Sequence, residues 1–216
     1  MNNLLKGFFI FYLGSLLGCF LEEIWCFIRN KKIAIRRSMI YEPLIPIYGF
    51  AAFLIVVVAD KVGYESLKVF IAGSIIASLV EYFSSLIQEK VFKTKSWDYS
   101  AMPFNLHGRI NLLYSVAFGL FATLFIKNLK VIATLIVKYE KIEVTLTITF
   151  LLLIIFIIDT FLSLEACLRQ TKRREKIPAQ NKFEKWLDKK YPDEILDKIY
   201  NNSVCVKSKK NLNIKL

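Results

Sequence analysis

Long apolar runs alternate with short basic segments along the chain, and this alternation predicts a bundle of membrane-spanning helices. A helix needs about 20 mostly apolar residues to cross the hydrocarbon core of a bilayer. Five stretches come near that length: residues 4–28, 44–59, 67–91, 109–126 and 144–167. The predicted fold class is therefore all-α, a polytopic transmembrane bundle of about five spans. Residues 129–139 are apolar but short, so we expect either an interfacial helix or a continuation of the fourth span.

The pattern changes after Cys167, which divides the chain into a bundle over residues 1–167 and a basic tail over residues 168–216. Within the tail, Phe183, Trp186 and Leu187 follow a helical spacing of i, i+3, i+4 with lysines opposite. Two interpretations remain open, a small helical hairpin or an amphipathic helix lying on anionic lipid head groups. Residues after Asn201 are expected to be disordered.

Charge orients the predicted bundle. The net charge is +12, and the tail alone holds 14 Lys and Arg against 6 Asp and Glu. The connections after the first and third spans are also rich in Lys and Arg. Cationic loops favour the cytoplasmic side, so we expect a multi-pass plasma-membrane protein with its C-terminus in the cytoplasm. No nucleic-acid-binding module accompanies the basic tail, so a nucleic-acid partner is not expected.

Three acidic residues, Glu22, Glu81 and Asp159, lie inside apolar runs, where a charge costs about 2.5–3.5 kcal/mol. Helical spacing places Glu22 on a stripe with Gly18, and Asp159 on a stripe with Ser163. Glu81 continues a row of serines along the third span. The acids therefore face the interior of the bundle rather than lipid.

All three acids fall at a similar depth, beneath the basic connections. Arg109 opens the fourth predicted span, where a cation is unfavourable, so it needs Glu81, Glu22, Asp98 or a ligand as partner. We expect one polar ligand or ion-pair pocket open to the cytoplasm. Its residues are Glu22, Glu81, Asp159, Arg37, Arg109 and Asn105. The alternative is that these groups pair with one another and only hold the bundle together.

Two connections combine proline, glycine, aromatic and charged residues. The third connection contains the loop motif Trp97, Asp98, Tyr99 and His107. Through such motifs the chain resembles a bacterial membrane family, Putative ABC-transporter type IV (CmpB-like). The matching motifs are Gly18-x-x-x-Glu22, the segment Arg37 to Gly49, Glu81-Tyr82, Trp97-Asp98-Tyr99-Ser100 and Asn105-x-x-Gly108-Arg109-Ile110. The chain departs from the family at several positions, among them Glu42, where the family has glycine.

The resemblance implies a transporter or permease-like component. The chain has no G-x-x-x-x-G-K-[ST] phosphate-binding loop, so transport driven by ATP needs a separate ATPase subunit, and a homo-oligomer is a further expectation. A membrane enzyme acting on a lipid or lipid-linked substrate is the first alternative, and a non-catalytic scaffold is the second. The enzyme is disfavoured because His107 is the only histidine and no acyl-transfer or metal motif is present. No metal and no cofactor are expected.

Overall fold

Long helices dominate the computed structural model, which describes residues 3–31, 38–139 and 142–206. The helices are α1 (Asn3–Asn30), α2 (Pro46–Val62), α3 (Ser66–Phe92), α4 (Leu112–Tyr139), α5 (Ile142–Arg174), α6 (Lys182–Lys190) and α7 (Asp193–Ile199). The strands are β1 (Thr94–Lys95), β2 (Asn105–Leu106), β3 (Ile110–Asn111) and β4 (Val204–Cys205). β1 pairs antiparallel with β4, and β2 pairs antiparallel with β3. The predicted all-α bundle is confirmed.

The five predicted spans correspond to α1 through α5, and the boundaries of α4 and α5 differ in ways that change the assignment. The fourth helix begins at Leu112 rather than at Arg109, because the preceding residues form the β2–β3 hairpin. That helix continues unbroken through residues 129–139, which are therefore not a separate interfacial helix. α5 extends to Arg174, so the division drawn after Cys167 falls inside a helix.

Four of these helices are long and apolar enough to cross a membrane: Lys6–Ile28, Ser66–Phe92, Leu112–Leu129 and Leu146–Arg174. α2 is shorter, with 17 residues, or about 25 Å at 1.5 Å per residue. Bulky apolar side chains on the outer faces are exposed, among them Phe20, Ile75, Phe83, Leu120 and Ile157. The chain is a multi-pass membrane protein.

Small residues bring neighbouring helices together. A Cβ atom added to Gly14 of α1 would lie 2.6 Å from the Cβ of Ala52 on α2, and one added to Gly119 of α4 would lie 2.7 Å from the Phe70 carbonyl oxygen of α3. Close backbone approach of this kind is typical of membrane helices, which gain little from burying apolar surface away from lipid. The predicted glycine and serine stripes are thus packed inside the bundle.

The tail folds back onto the end of α5. α6 and α7 form a short helical hairpin, in which Leu187 and Leu196 are 1% and 0% exposed. These leucines pack with Tyr191, with Ala166 of α5 and with Ile40 of the α1–α2 connection. β4 lies in the segment after Asn201 that was expected to be disordered, while residues 207–216 lie outside the described residues.

Candidate functional site

The α1–α2 connection, the α3–α4 connection and the tail meet at one end of the bundle. The hydroxyls of Tyr41 and Tyr191 lie 2.6 Å apart, which joins the first connection to the tail. The pairing of Thr94 with Cys205 joins the third connection to the tail. The three basic segments therefore lie on the same side, as the loop charges predict.

Beneath this end, two carboxylates each accept a hydrogen bond from a tyrosine. Tyr48 donates to Glu22 over 2.6 Å, and Tyr99 donates to Glu81 over 2.9 Å. Tyr48 lies close enough to Glu22, Glu81 and Tyr99 to interact with them electrostatically. These four residues, drawn from α1, α2, α3 and the third connection, are called the acid–tyrosine site below.

Glu81 is the most enclosed acid of this site. Its side chain is 8% exposed, and its Oε2 atom is buried without a hydrogen-bond partner among the described residues. Glu81 lies eleven residues before the end of α3 and Glu22 lies eight before the end of α1, or about 16 Å and 12 Å below those ends. The similar depth expected for these two acids agrees with this placement.

Aromatic rings border the site. The rings of Tyr99 and Tyr114 stack with centroids 4.8 Å apart, and Trp25 meets Tyr114 edge-on at 6.2 Å. Burial of the Tyr99 phenol, together with the charge of Glu81, raises the pKa of Tyr99 far above its ordinary value. Tyr99 therefore keeps its proton and acts as a donor to Glu81.

The loop motif holds Tyr99 in place. Asp98 accepts hydrogen bonds from the hydroxyl and the backbone N–H of Ser100, and these bonds lower the pKa of Asp98. Trp97 donates from its ring nitrogen to the Arg109 carbonyl over 2.9 Å. The Tyr99 N–H donates to the Gly108 carbonyl over 2.8 Å. The predicted loop residues Trp97 and Asp98 thus bond within the loop.

A tight turn closes the β2–β3 hairpin. His107 and Gly108 both have positive φ, 55° and 67°, as the two central residues of a type I′ turn require. Asn105 accepts the Gly108 N–H over 2.9 Å and donates to the Met102 carbonyl over 2.7 Å. The His107 ring lies 3.0 Å from the Tyr82 hydroxyl. Asn105 and His107 shape this turn instead of contacting the acid–tyrosine site.

Arg109 pairs with Glu89, an acid that was not among its expected partners. Its guanidinium donates to Glu89 over 2.6 Å and to the Ser85 hydroxyl over 3.0 Å, and it lies over the Tyr82 ring. Glu81, Glu22 and Asp98 were the expected partners. The helical step from Ser85 to Glu89 on α3 was a signal available in the sequence, since both lie on the face that continues the serine row.

Asp159 lies in a different place from Glu22 and Glu81 and binds the first connection. Its Oδ2 accepts the backbone N–H groups of Tyr41 and Glu42 over 3.0 Å and 2.7 Å, and its Oδ1 accepts that of Ile40 over 3.1 Å. Ser163 also donates to Oδ1. Asp159 is 1% exposed, so backbone amides replace water around this carboxylate.

The structure thus brings Glu22 and Glu81 together, adds Tyr48 and Tyr99, and places Asp159 and Arg109 in separate contacts. Arg37 lies outside the described residues. Ligand binding by the predicted set stays a prediction. Among residues 3–31, 38–139 and 142–206, no group of three His, Cys, Asp or Glu side chains could hold a metal ion.

Glu42 is a further buried acid, and its replacement by Gln is expected to stabilise the fold. Burial raises the pKa of Glu42, the nearby Asp159 charge raises it further, and the hydrogen bond from Tyr12 opposes the rise. Oε2 of Glu42 has no partner among the described residues. A raised pKa means that the stability contributed by the neutral form is present at low pH and lost as the pH rises through the folded pKa. We expect Glu42→Gln to gain about 1 kcal/mol at neutral pH.

Thermal unfolding in detergent across a pH series measures this effect. The gain of Glu42→Gln should shrink towards zero as the pH falls to the ordinary glutamate pKa of about 4.3, because wild-type Glu42 is then protonated. A variant less stable than wild type at neutral pH would show that the charged form of Glu42 is the favoured one.

A comparison with protein families matches residues 9–164 to the family model described as "Putative ABC-transporter type IV". The chain belongs to this family. No curated protein matches the chain, and no solved structure matches it. The type IV match covers α1 to most of α5, so it includes the acid–tyrosine site, while α6 and α7 lie beyond it.

Proposed function

We propose that the chain is the membrane subunit of a proton-coupled transporter, in which Glu81 takes up and releases the proton. The observation that carries this proposal is the buried Glu81 carboxylate, which has one tyrosine donor and one unpartnered oxygen. Ionisable groups at membrane depth are costly and mark proton or ion pathways. Membership of a transporter-type family supports the same reading.

A proton suits this site better than a metal cation. Ca²⁺ takes six to eight oxygen ligands, and Mg²⁺ takes six. In the part of the chain that the structure describes, no three acidic, histidine or cysteine side chains are grouped so that they could hold a metal ion. A single carboxylate suffices for a proton, and Tyr99 stabilises the charged form of Glu81 when the proton leaves.

The basic connections indicate the side from which the proton arrives. The two basic connections and the basic tail lie at the end of the bundle above Glu81, and Lys and Arg favour the cytoplasmic side of the plasma membrane. The chain has no ATP-binding loop of its own, so any step driven by ATP would need an ATPase subunit docked on this basic end. A second copy of the chain is the other expected partner.

Glu81→Gln provides the test. Infrared difference spectra of the purified protein, recorded between acidic and alkaline pH, should contain a carboxyl band that this variant lacks. Tyr99→Phe keeps the ring stacked on Tyr114 but removes the donor to Glu81. We expect the band to persist in Tyr99→Phe with its titration moved to higher pH, because the charged form loses its hydrogen bond.

The control is Glu65→Gln, which removes an exposed acid whose side chain is 71% accessible. Its loss should change only the band of water-exposed carboxylates. Unchanged spectra in Glu81→Gln would contradict the proposal. So would a fall in melting temperature that matches a loss of about 1–3 kcal/mol, the cost of disrupting a buried hydrogen bond, since it indicates that the Glu81 carboxylate has a structural role.

A further inference from the structure

An apolar groove runs along the outer face of the bundle between α2 and α3. It has a volume of about 590 Å³, within the ~300–1,000 Å³ of small-molecule sites. Its walls include Phe11, Phe50, Leu54, Phe83 and Ile87, and Ser84 is the only polar residue among the described residues that line it. Phe50, Phe83 and Ile87 are more than half exposed, so the groove is open to the surrounding bilayer.

The groove has the depth of one leaflet. On α3 it runs from Ile76 to Ile87, or about 16 Å at 1.5 Å per residue. One leaflet contributes about half of the ~30 Å hydrocarbon core. On α2 the lining lies between Pro46 and Leu54, at the end that follows the first connection. The groove therefore belongs to the leaflet beside the basic connections.

A lysine lies just beyond the groove at that end. Phe83, Ile87 and Lys90 follow at steps of four and three, which places them on one face of α3. Lys90 is exposed and takes part in none of the ion pairs found among the described residues. Lys90 follows Ile87 by three residues, or about 4.5 Å along the helix axis. This places it on the side of the groove where the lipid phosphates are expected.

The walls of the groove suit a flexible chain better than a helix. Helices in membranes associate through small residues, and the glycines of α1 to α4 already face one another inside the bundle. The groove presents phenylalanine, leucine and isoleucine instead. An acyl chain adapts to such an uneven surface without requiring close backbone contact.

From the leaflet-deep groove and the free lysine above it, we propose that this face binds an anionic phospholipid. One acyl chain lies between α2 and α3, and Lys90 pairs with the phosphate. The site is on the opposite side of α3 from Ser78, which contacts α4, and it does not rest on the proton-coupled function. A cationic side chain near the surface contributes about fivefold to the preference for anionic lipid.

The test is native mass spectrometry of protein extracted from vesicles of equal parts phosphatidylglycerol and phosphatidylcholine. Wild type should retain phosphatidylglycerol in preference. Lys90→Gln should lower that preference about fivefold, while Lys61→Gln, a matched loss at the far end of α2, should not. Ser84→Trp fills the groove and should abolish retention of both lipids, while Leu120→Trp adds the same ring on α4 away from the groove and should not.

Three results would overturn the proposal. Equal retention in wild type and in both Ser84→Trp and Lys90→Gln means that the lipid binds elsewhere. If Leu120→Trp loses as much bound lipid as Ser84→Trp, the retained lipid is bound non-specifically to the surface of the bundle. A lipid-free dimer that Ser84→Trp dissociates means that a second copy occupies the groove. Lys90→Gln alters an exposed side chain, so the lipid preference measured for this variant does not depend on whether Ser84→Trp folds.

Discussion

Replacing Asp159 with Asn is expected to release the first connection from α5 and to lower the free energy of unfolding by about 3 kcal/mol or more. The carboxylate accepts three backbone N–H groups, from Ile40, Tyr41 and Glu42, and the Ser163 hydroxyl. The amide of asparagine has one acceptor oxygen instead of two. Its NH2 group would face the backbone N–H groups, which are also donors. Buried N–H groups are then left without partners, and each costs about 1–3 kcal/mol.

Thermal unfolding in detergent measures the loss, and limited proteolysis locates it. Protease cleavage should appear between α1 and α2 in Asp159→Asn at temperatures where wild type resists. Ser163→Ala removes one donor to Asp159 and one of the two acceptors of the Ile40 N–H, which keeps its bond to Asp159. It should therefore cost only about 1 kcal/mol. If Asp159→Asn unfolds within 0.5 kcal/mol of wild type, an amount we take as roughly the error of additivity, the backbone contacts do not hold the connection.

The second large effect is expected from Asp188→Asn in α6. Arg169, 3% exposed, donates to both Asp188 oxygens over 2.8 and 2.9 Å, and Arg173 donates to Oδ1 over 2.6 Å. The variant leaves Arg169 buried without its counter-charge. We expect undocking of the α6–α7 hairpin and a loss of about 3 kcal/mol, the lower end of the range for a broken buried pair.

The matched control is Asp197→Asn in α7. Asp197 pairs with Arg174, but its own side chain is 63% accessible, and exposed pairs contribute at most about 1 kcal/mol. Hydrogen exchange of the α6 amides, together with the melting temperature, should separate the two variants. Equal protection of α6 in both variants would show that Leu187 and Leu196 hold the hairpin without the ion pairs.

The same pair predicts a response to acid. Burial of Asp188 favours its neutral form, but the hydrogen bonds from Arg169 and Arg173 outweigh burial and lower the pKa of Asp188. A lowered pKa means that the stabilisation is fully present above the ordinary aspartate pKa, about 3.9. It is lost as the pH falls through the lower folded value. In wild type, exposure of the tail should therefore increase only in strong acid, whereas Asp188→Asn should already expose the tail at neutral pH.

Hydropathy predicted the five long helices because each apolar run is long enough to be read without knowledge of its neighbours. Helical spacing also placed Glu22 and Glu81 facing the interior at a similar depth. Neither pattern could identify Tyr48 and Tyr99 as their donors, because those residues belong to other segments and only the fold brings them together. Tyr48 lies in the motif from Arg37 to Gly49, but no helical spacing relates its hydroxyl to Glu22.

Pairings between distant segments were the part that the sequence could not predict. Asp159 was expected near the other acids because depth was the only available coordinate, and depth leaves the position around the bundle undetermined. The Arg109–Glu89 pair was missed because Arg109 was taken as the start of a helix, whereas the hairpin turns its side chain back onto α3. Two-residue strands such as β1 and β4 are too short for any alternation to show.

The β1–β4 pair also has a consequence for the order of assembly. Thr94 finds its partner Cys205 about 110 residues further along the chain, and the Thr171 hydroxyl donates to the Phe92 carbonyl at the same place. Synthesis proceeds from the N-terminus at about 5–20 residues per second. The α3–α4 connection, with Tyr99 in it, therefore waits several seconds for the tail to leave the ribosome before its first strand is paired.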